Sequence, residues 1–374
     1  DKIVVPFCRE SKLSGLERKG FVKNVWYRRA FSVPAEWRSP RILLHIGACD
    51  WKTRVWVNGA LLCEHVGGYT PIVVDITNVA KRDAANTVIV HAYDDTRGSL
   101  QPTGKQAHEE KSNGCVYTRT TGIWQSVWLE GVGDAYLREV FVTPDPDNAR
   151  IVIRAEIAQA RPGLQLSATA TAEGAEAGSA TAALDGHNNA YLTLALSPAR
   201  LWSLDDPFLY DLQFTLKDGD TPVDTVRSSF GLRQVSIQRA AILINHTAVF
   251  QRLVLDQGFY PEGIWTAPTE DALKRDIELS KAVGFNGARL HQKVFEPRFL
   301  YWADKLGYLV WGEYASWGAD YAQSAVNLPF LNNWLEEVRR DRNHPALIRW
   351  CPFNETGATE GPIQNSVVYA TRQA

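Results

Sequence analysis

Four short apolar runs in the last third of this sequence each end on polar side chains able to do chemistry. Asp256-Gln257 follow the first, Arg289 and His291 the second, Glu313 the third and Asn354-Glu355 the fourth. A carboxylic acid can protonate a leaving group and later take a proton back if its pKa is set for the task. A neighbouring Arg favours the ionised form of a carboxyl group, and burial favours the neutral form. Singly, each of these residues reads equally well as a satisfied loop group. Carboxylates, an Arg, a His and an Asn converging on one rim are harder to explain as scaffold. Glu355 leads the set, because the aromatic-rich strand end Trp350-Cys-Pro-Phe353 is expected to supply the desolvation that raises an acid's pKa.

Those strand ends need elements to hold them. Residues 249–255 read as a β-run. Thr269 can cap a helix running to Ala282, with Glu270 and Asp271 in its first turn. Residues 285–290 form a second strand, Pro297 suits the first turn of a helix closing at Gly307, and 308–313 make a third strand. A helix over 328–340 and a strand over 346–353 complete the series. Strand–helix alternation of this kind indicates a parallel α/β domain, whose active sites gather at the C-terminal ends of the strands. A full (β/α)8 TIM barrel needs ~250 residues. Residues 237–374 therefore hold the N-terminal half of one.

Upstream the texture is all strand. Residues 25–33, 41–46, 52–57 and 87–93 are rich in Val, Ile, Thr and aromatics, and Asn58-Gly59 marks a hairpin turn. A β-sandwich over residues 1–135 is expected. Residues 150–157, 191–196, 210–216 and 223–230 suit a second, immunoglobulin-like β-sandwich over 136–236. Its 169–183 stretch reads as scaffold.

Forty Lys+Arg against 42 Asp+Glu give a net charge of −2, without the basic excess of a nucleic-acid binder. No apolar run is long enough for a transmembrane helix, so no membrane partner is expected. The five cysteines lack metal-ligand spacing and read as buried free thiols, and no metal site is expected. Thirteen tryptophans suit both cores and sugar-stacking surfaces.

The fifteen residues Asp341-Arg-Asn-His-Pro-Ala-Leu-Ile-Arg-Trp350-Cys-Pro-Phe-Asn354-Glu355 resemble the acid/base signature of glycoside hydrolase family 2. That family contains β-galactosidases, β-glucuronidases and β-mannosidases. Trp26-Tyr-Arg-Arg-Ala-Phe31, Val57-Asn-Gly59 and Gly122-Ile-Trp-Gln-Ser-Val-Trp-Leu-Glu130 are similar to its N-terminal sugar-binding jelly roll, and Phe230-Gly-Leu-Arg233 to the exit of its immunoglobulin-like domain. The segment Asn286-Gly-Ala-Arg289-Leu-His291-Gln292-Lys293 keeps the Asn, Arg and His of a second family signature, but Gln-Lys replaces its Tyr-Pro end.

The resemblance implies a retaining exo-β-glycosidase, with β-galactoside specificity the first expectation and β-glucuronide or β-mannoside close behind. Glu355 would be general acid and then base, and Asn354 would hydrogen-bond the sugar's 2-hydroxyl. Arg289 would sit near the nucleophile. Asp256, Gln257, His291, Glu313 and Trp350 are further substrate-contact candidates. The nucleophilic Glu is expected beyond residue 374, after the seventh strand; Glu360 reads as a solvated loop group. The 94–121 loop carries Arg97, Gln101, Lys105, Gln106, His108 and Tyr117 and is similar to family loops leaning towards the barrel mouth. A mobile surface loop is the other reading. Two carboxylates suffice for this chemistry, so no cofactor is expected. The expected partner is a carbohydrate substrate, with homo-oligomerisation and compartment left open. A non-catalytic carbohydrate-binding protein, or a half barrel completed by a second polypeptide, are the alternatives.

Overall fold

Strand Lys52–Val57 turns back through Asn58 and Gly59, at φ 51° and 89°, and returns as Ala60–Val66. Only residues that accept positive φ close so short a loop with the twist that paired strands require. This hairpin lies in a four-stranded antiparallel sheet ordered Asn24–Phe31, Asn86–Tyr93, Lys52–Val57, Ala60–Val66. Ile72–Asp75, Arg41–Ile46 and Val127–Val132 form the opposing sheet, and Ile42, Leu44, Val55, Ile72 and Val90 fill the space between. The computed structural model describes residues 1–357 and 361–374, so Glu360 lies outside the described residues.

The second sandwich packs Tyr136–Asp145, Arg150–Ala158 and Asn189–Ala195 over a sheet of Ala175–Ala183, Leu164–Ala172, Tyr210–Asp218 and Thr221–Phe230. Strict alternation in Leu164–Ala172 sends Leu164, Leu166, Ala168 and Ala170 inward against Leu212 and Phe214. A small sheet over Val235–Gln238, Ala241–Ile244 and Thr247–Ala248, not foreseen from the sequence, leads into the last part.

There, Leu253–Asp256, Gly287–Leu290, Leu309–Glu313 and Leu347–Cys351 pair in parallel and in sequence order. The Thr269 hydroxyl accepts the Ala272 amide and starts helix Glu270–Ala282, and helix Pro297–Leu306 closes at Gly307. The third helix, Ser324–Asp341, begins a turn before the expected residue 328 and runs through Pro329. Proline there forfeits one early backbone bond, while Val326 and Phe330, one turn apart, bury the same face. A fourth helix, Gly361–Gln373, is also new to the sequence reading. Among the described residues no helix is long and apolar enough to cross a membrane.

Both sandwiches are anchored to the half barrel. Trp124 and Tyr69 of the first interlock with Trp265 and Tyr314, at ring separations of 5.1 to 6.4 Å. From the second, Trp202 Nε1 donates to the Asp304 carbonyl at 2.9 Å and Arg233 Nε to the Pro345 carbonyl at 3.0 Å. Of the five cysteines, Cys8 and Cys49 are buried, Cys63 and Cys351 half-buried and Cys115 exposed, which corrects the uniform burial expected. Cys115 lies in the irregular 94–121 loop, outside any core-facing strand.

Candidate active site

Parity along each barrel strand decides what reaches the site. In Gly287–Leu290, Ala288 and Leu290 face the helices and pack with Leu273 and Phe299, which turns Arg289 to the opposite face. Arg289 Nε donates to Glu313 Oε2, and its NH2 donates to Asn354 Oδ1 at 2.7 Å. Glu313 is wholly buried; its Oε1 accepts the Gln292 amide at 3.0 Å. Gln292 spans to Ser316, whose hydroxyl accepts the Asn354 amide at 3.1 Å. Three strand ends are thereby tied into one network. The carboxylate that Arg289 holds in this arrangement is Glu313, which the sequence analysis names as a substrate-contact candidate.

Burial pushes the Glu313 carboxyl above its ordinary range, against the pull of Arg289. Burial, with the charges of Arg289 and Lys105, brings His291 down to about 4, so its ring is neutral at pH 7. Gln257 Nε2 lies 3.2 Å from His291 Nδ1. A neutral ring accepting there carries its proton on Nε2, which is 3.9 Å from Glu313. Two buried polar atoms here have no partner among the described residues: Asn354 Nδ2, a donor, and Gln257 Oε1, an acceptor. Such atoms can take a hydrogen bond from water or from a polar ligand.

The remaining candidates are placed differently. Asp256 Oδ1 accepts the Gly258 amide at 2.8 Å and its carbonyl the His291 amide at 2.7 Å, so it shapes its own turn. With Gln257 it also borders a groove of about 860 Å³ beside the first helix, at the flank of the network. Trp350 pairs across from Gly312, on the helix side, and meets Trp334 edge-on at 5.7 Å. That makes it a packing residue under the sheet. Glu355 follows Asn354 in a bend at φ 52° and is exposed, so the desolvation expected from residues 350–353 is not supplied by them. The strand end turns Phe353 onto Phe330 and Tyr321, away from the carboxyl group.

The 94–121 loop crosses from the first sandwich to this rim. Thr103 and Gly104 donate their amides to the Trp317 carbonyl at 2.7 and 3.2 Å. Lys105 Nζ sits 3.5 Å from the centre of the Trp317 ring, whose Nε1 donates to the Asn354 carbonyl at 3.2 Å. Tyr117 stacks on Phe259 at 4.4 Å. Gln101 and Gln106 turn inward to Asp94 and Asp50, Arg97 covers Phe21 and His108 is exposed. Ser316 and Trp317 escaped the sequence reading; their only signal was their place just after a barrel strand. No group of three or more metal-ligating side chains occurs among the described residues.

Residues 135–233 match the family described as glycosyl hydrolases family 2, and residues 265–373 match that family's TIM barrel domain. A beta-glucuronidase of Paenibacillus borealis is 24% identical over 366 residues, covering 89% of this chain and 59% of the relative. A beta-galactosidase of Thermoanaerobacter pseudethanolicus is 25% identical over 334 residues, covering 87% of this chain and 44% of the relative. The chain thus spans about half the length of the curated relatives it matches. The fold is similar to that of b-glucuronidase from Ruminococcus gnavus in complex with D-glucuronic acid, with a TM-score of 0.84 and 22% identity over 99% of this chain and 64% of that one.

Proposed function

Because the chain belongs to glycosyl hydrolases family 2, we propose that it acts as a retaining exo-β-glycosidase on terminal β-linked sugars. Glu355 protonates the leaving oxygen and then activates water. The observation that carries this reading is the Arg289–Asn354 bond. By occupying Asn354 Oδ1 it fixes the amide so that the unpartnered Nδ2, one residue before Glu355, is presented to a sugar hydroxyl. His291 Nε2–H supplies a second donor and Gln257 Oε1 an acceptor. Glu313 serves as the buried anion that orients Arg289; its oxygens are already engaged by Arg289 and Gln292. The nucleophile is a second Glu beyond residue 374, ~5–5.5 Å from Glu355 in the working enzyme. Residues 1–135 and 136–236 buttress the rim formed within 237–374.

The test is Glu355→Gln assayed on nitrophenyl β-galactoside, β-glucuronide and β-mannoside, with sugar binding followed in parallel. Loss of an acid/base group costs about 10²- to 10⁴-fold in turnover. An unchanged rate on the sugar that the wild type cleaves would overturn the assignment. The exposure of Glu355 favours one other reading, a carbohydrate-binding protein without turnover; sugar binding with no hydrolysis of any glycoside would establish that one instead.

A further inference from the structure

Lys293 belongs to the Gln-Lys pair that departs from the second family signature, and it lies outside the network centred on Arg289. Its side chain is 2% exposed. Burial lowers the ammonium group to about 8, against the pull of Glu296, Asp256 and Asp276. An ammonium kept in such a place needs hydrogen-bond acceptors. Lys293 has two: Nζ donates to the Gly258 carbonyl at 2.6 Å and to the Trp265 carbonyl at 2.7 Å. The centres of the Trp124 and Phe295 rings lie 5.5 and 4.9 Å from Nζ.

The two carbonyls are the ends of one loop. After strand Leu253–Asp256 the chain runs from Gly258 to Trp265 through a tight reversal, closed between Tyr260 and Ile264 by amide–carbonyl bonds of 2.8 and 2.9 Å. Lys293 bonds both stems below that reversal. Gly258 makes room for it: at φ 62°, a Cβ there would lie 3.0 Å from Nζ and 2.5 Å from the Phe295 ring. The Trp265 stem is locked to the first sandwich. Its ring sits 5.1 Å from those of Tyr69 and Trp124, and the Thr266 hydroxyl donates to the Trp124 carbonyl at 2.6 Å. The other stem carries Gln257, so Lys293 ties the residue at the rim to the part of the loop that is held fast.

We propose that Lys293 is a positioning residue for sugar binding, stapling the 258–265 loop so that Gln257 keeps its Oε1 acceptor in the site. This rests on the glycosidase reading of the same site. Lys293 touches no sugar and acts through Gln257. The Gln257 amide meets the protein at His291 Nδ1, 3.2 Å away, and leaves Oε1 without a partner among the described residues. A shift of the Gln257 backbone would move both atoms together. One neutral hydrogen bond to a sugar hydroxyl is worth about 3- to 10-fold in affinity, which sets the size of the effect.

A double-mutant cycle tests this, read by steady-state kinetics of the full-length protein at neutral pH. The substrate is whichever of nitrophenyl β-galactoside, β-glucuronide and β-mannoside the wild type cleaves. Lys293→Met keeps the bulk of the side chain and removes its donors. It is expected to raise KM about 3- to 10-fold and to change kcat by under about threefold, as is Gln257→Leu, because the lost binding is common to ground and transition states. The double variant should stay within about twofold of Gln257→Leu. Effects that multiply, to about 10- to 100-fold in KM, would overturn the proposal, since Lys293 would then act independently of Gln257. So would an unchanged KM with a lowered kcat in Lys293→Met, the pattern of a smaller folded fraction. Lys293→Gln, one bond shorter with two N–H donors, repeats the cycle should Lys293→Met fail to fold, and the same outcomes decide. Cleavage of none of the three glycosides by the wild type would instead sink the glycosidase reading, and the proposal with it.

Discussion

Removing Arg289 should cost more than removing the charge of its partner, and the cost should grow with pH. Glu313 is 0% exposed, whereas the Arg289 side chain retains 29% exposure. In Arg289→Met the carboxylate keeps the Gln292 amide but loses its counter-ion in a site closed to water. Breaking a buried pair from one side typically costs 3–5 kcal/mol. The partial exposure of Arg289 and the surviving amide bond place this case at about 3 kcal/mol at pH 8. Glu313→Gln leaves Arg289 able to reach water and Asn354, and should cost about 1–1.5 kcal/mol.

The pH dependence follows from linkage. Burial already raises Glu313 in the wild type, and loss of Arg289 raises it further. A carboxyl whose folded pKa exceeds its unfolded value gives its full stability below the unfolded pKa and loses it as pH rises towards the folded one. At pH 5 the variant relieves itself by taking up a proton, so the cost should shrink to about 1–2 kcal/mol. Urea denaturation of wild type, both single variants and the double variant at pH 5 and pH 8 measures all of this. A pH 8 cost under about 1 kcal/mol for Arg289→Met, or a larger cost for Glu313→Gln, would refute the account.

Two further outcomes accompany the test of Glu355. Gly104→Ala would set its methyl group against the Gln292 carbonyl and the Ala315 Cβ. It should lower stability by about 1–3 kcal/mol and weaken sugar binding together, and binding at wild-type strength would show that the loop's approach is unimportant. In the first sandwich, burial pushes Asp94 up to about 7, with the charge of Glu10 adding to it, while Gln101 donates to Asp94 at 2.7 Å and Gln106 to Asp50 at 3.0 Å. Its contribution to stability is therefore complete below about pH 4 and is lost as pH rises to about 7. Melting temperatures of Asp94→Asn should fall less than those of the wild type between pH 5 and pH 8; parallel falls would contradict the assignment.

The sequence by itself marked the four barrel strands, the three helices between them and many of the sandwich strands in order, but not the small sheet over residues 235–248 or the helix Gly361–Gln373. Cap and turn chemistry acts within a few residues, so Thr269, Pro297, Gly307 and Asn58-Gly59 were readable directly, and the runs ending at Asp256, Arg289, Glu313 and Asn354 placed polar groups on one rim. Runs rich in β-formers, set between turn and polar connections, marked both sandwiches. What only the tertiary structure decided were the partners. That Arg289 takes Glu313 and Asn354 depends on register across three parallel strands. The same register turns Trp350 under the sheet and leaves Glu355 in the open. Lys105 meets Trp317 from 212 positions away in the chain, along a loop with no periodicity of its own. Period and propensity are local, whereas pairing a charge or closing a pocket depends on which surfaces the packed core brings together.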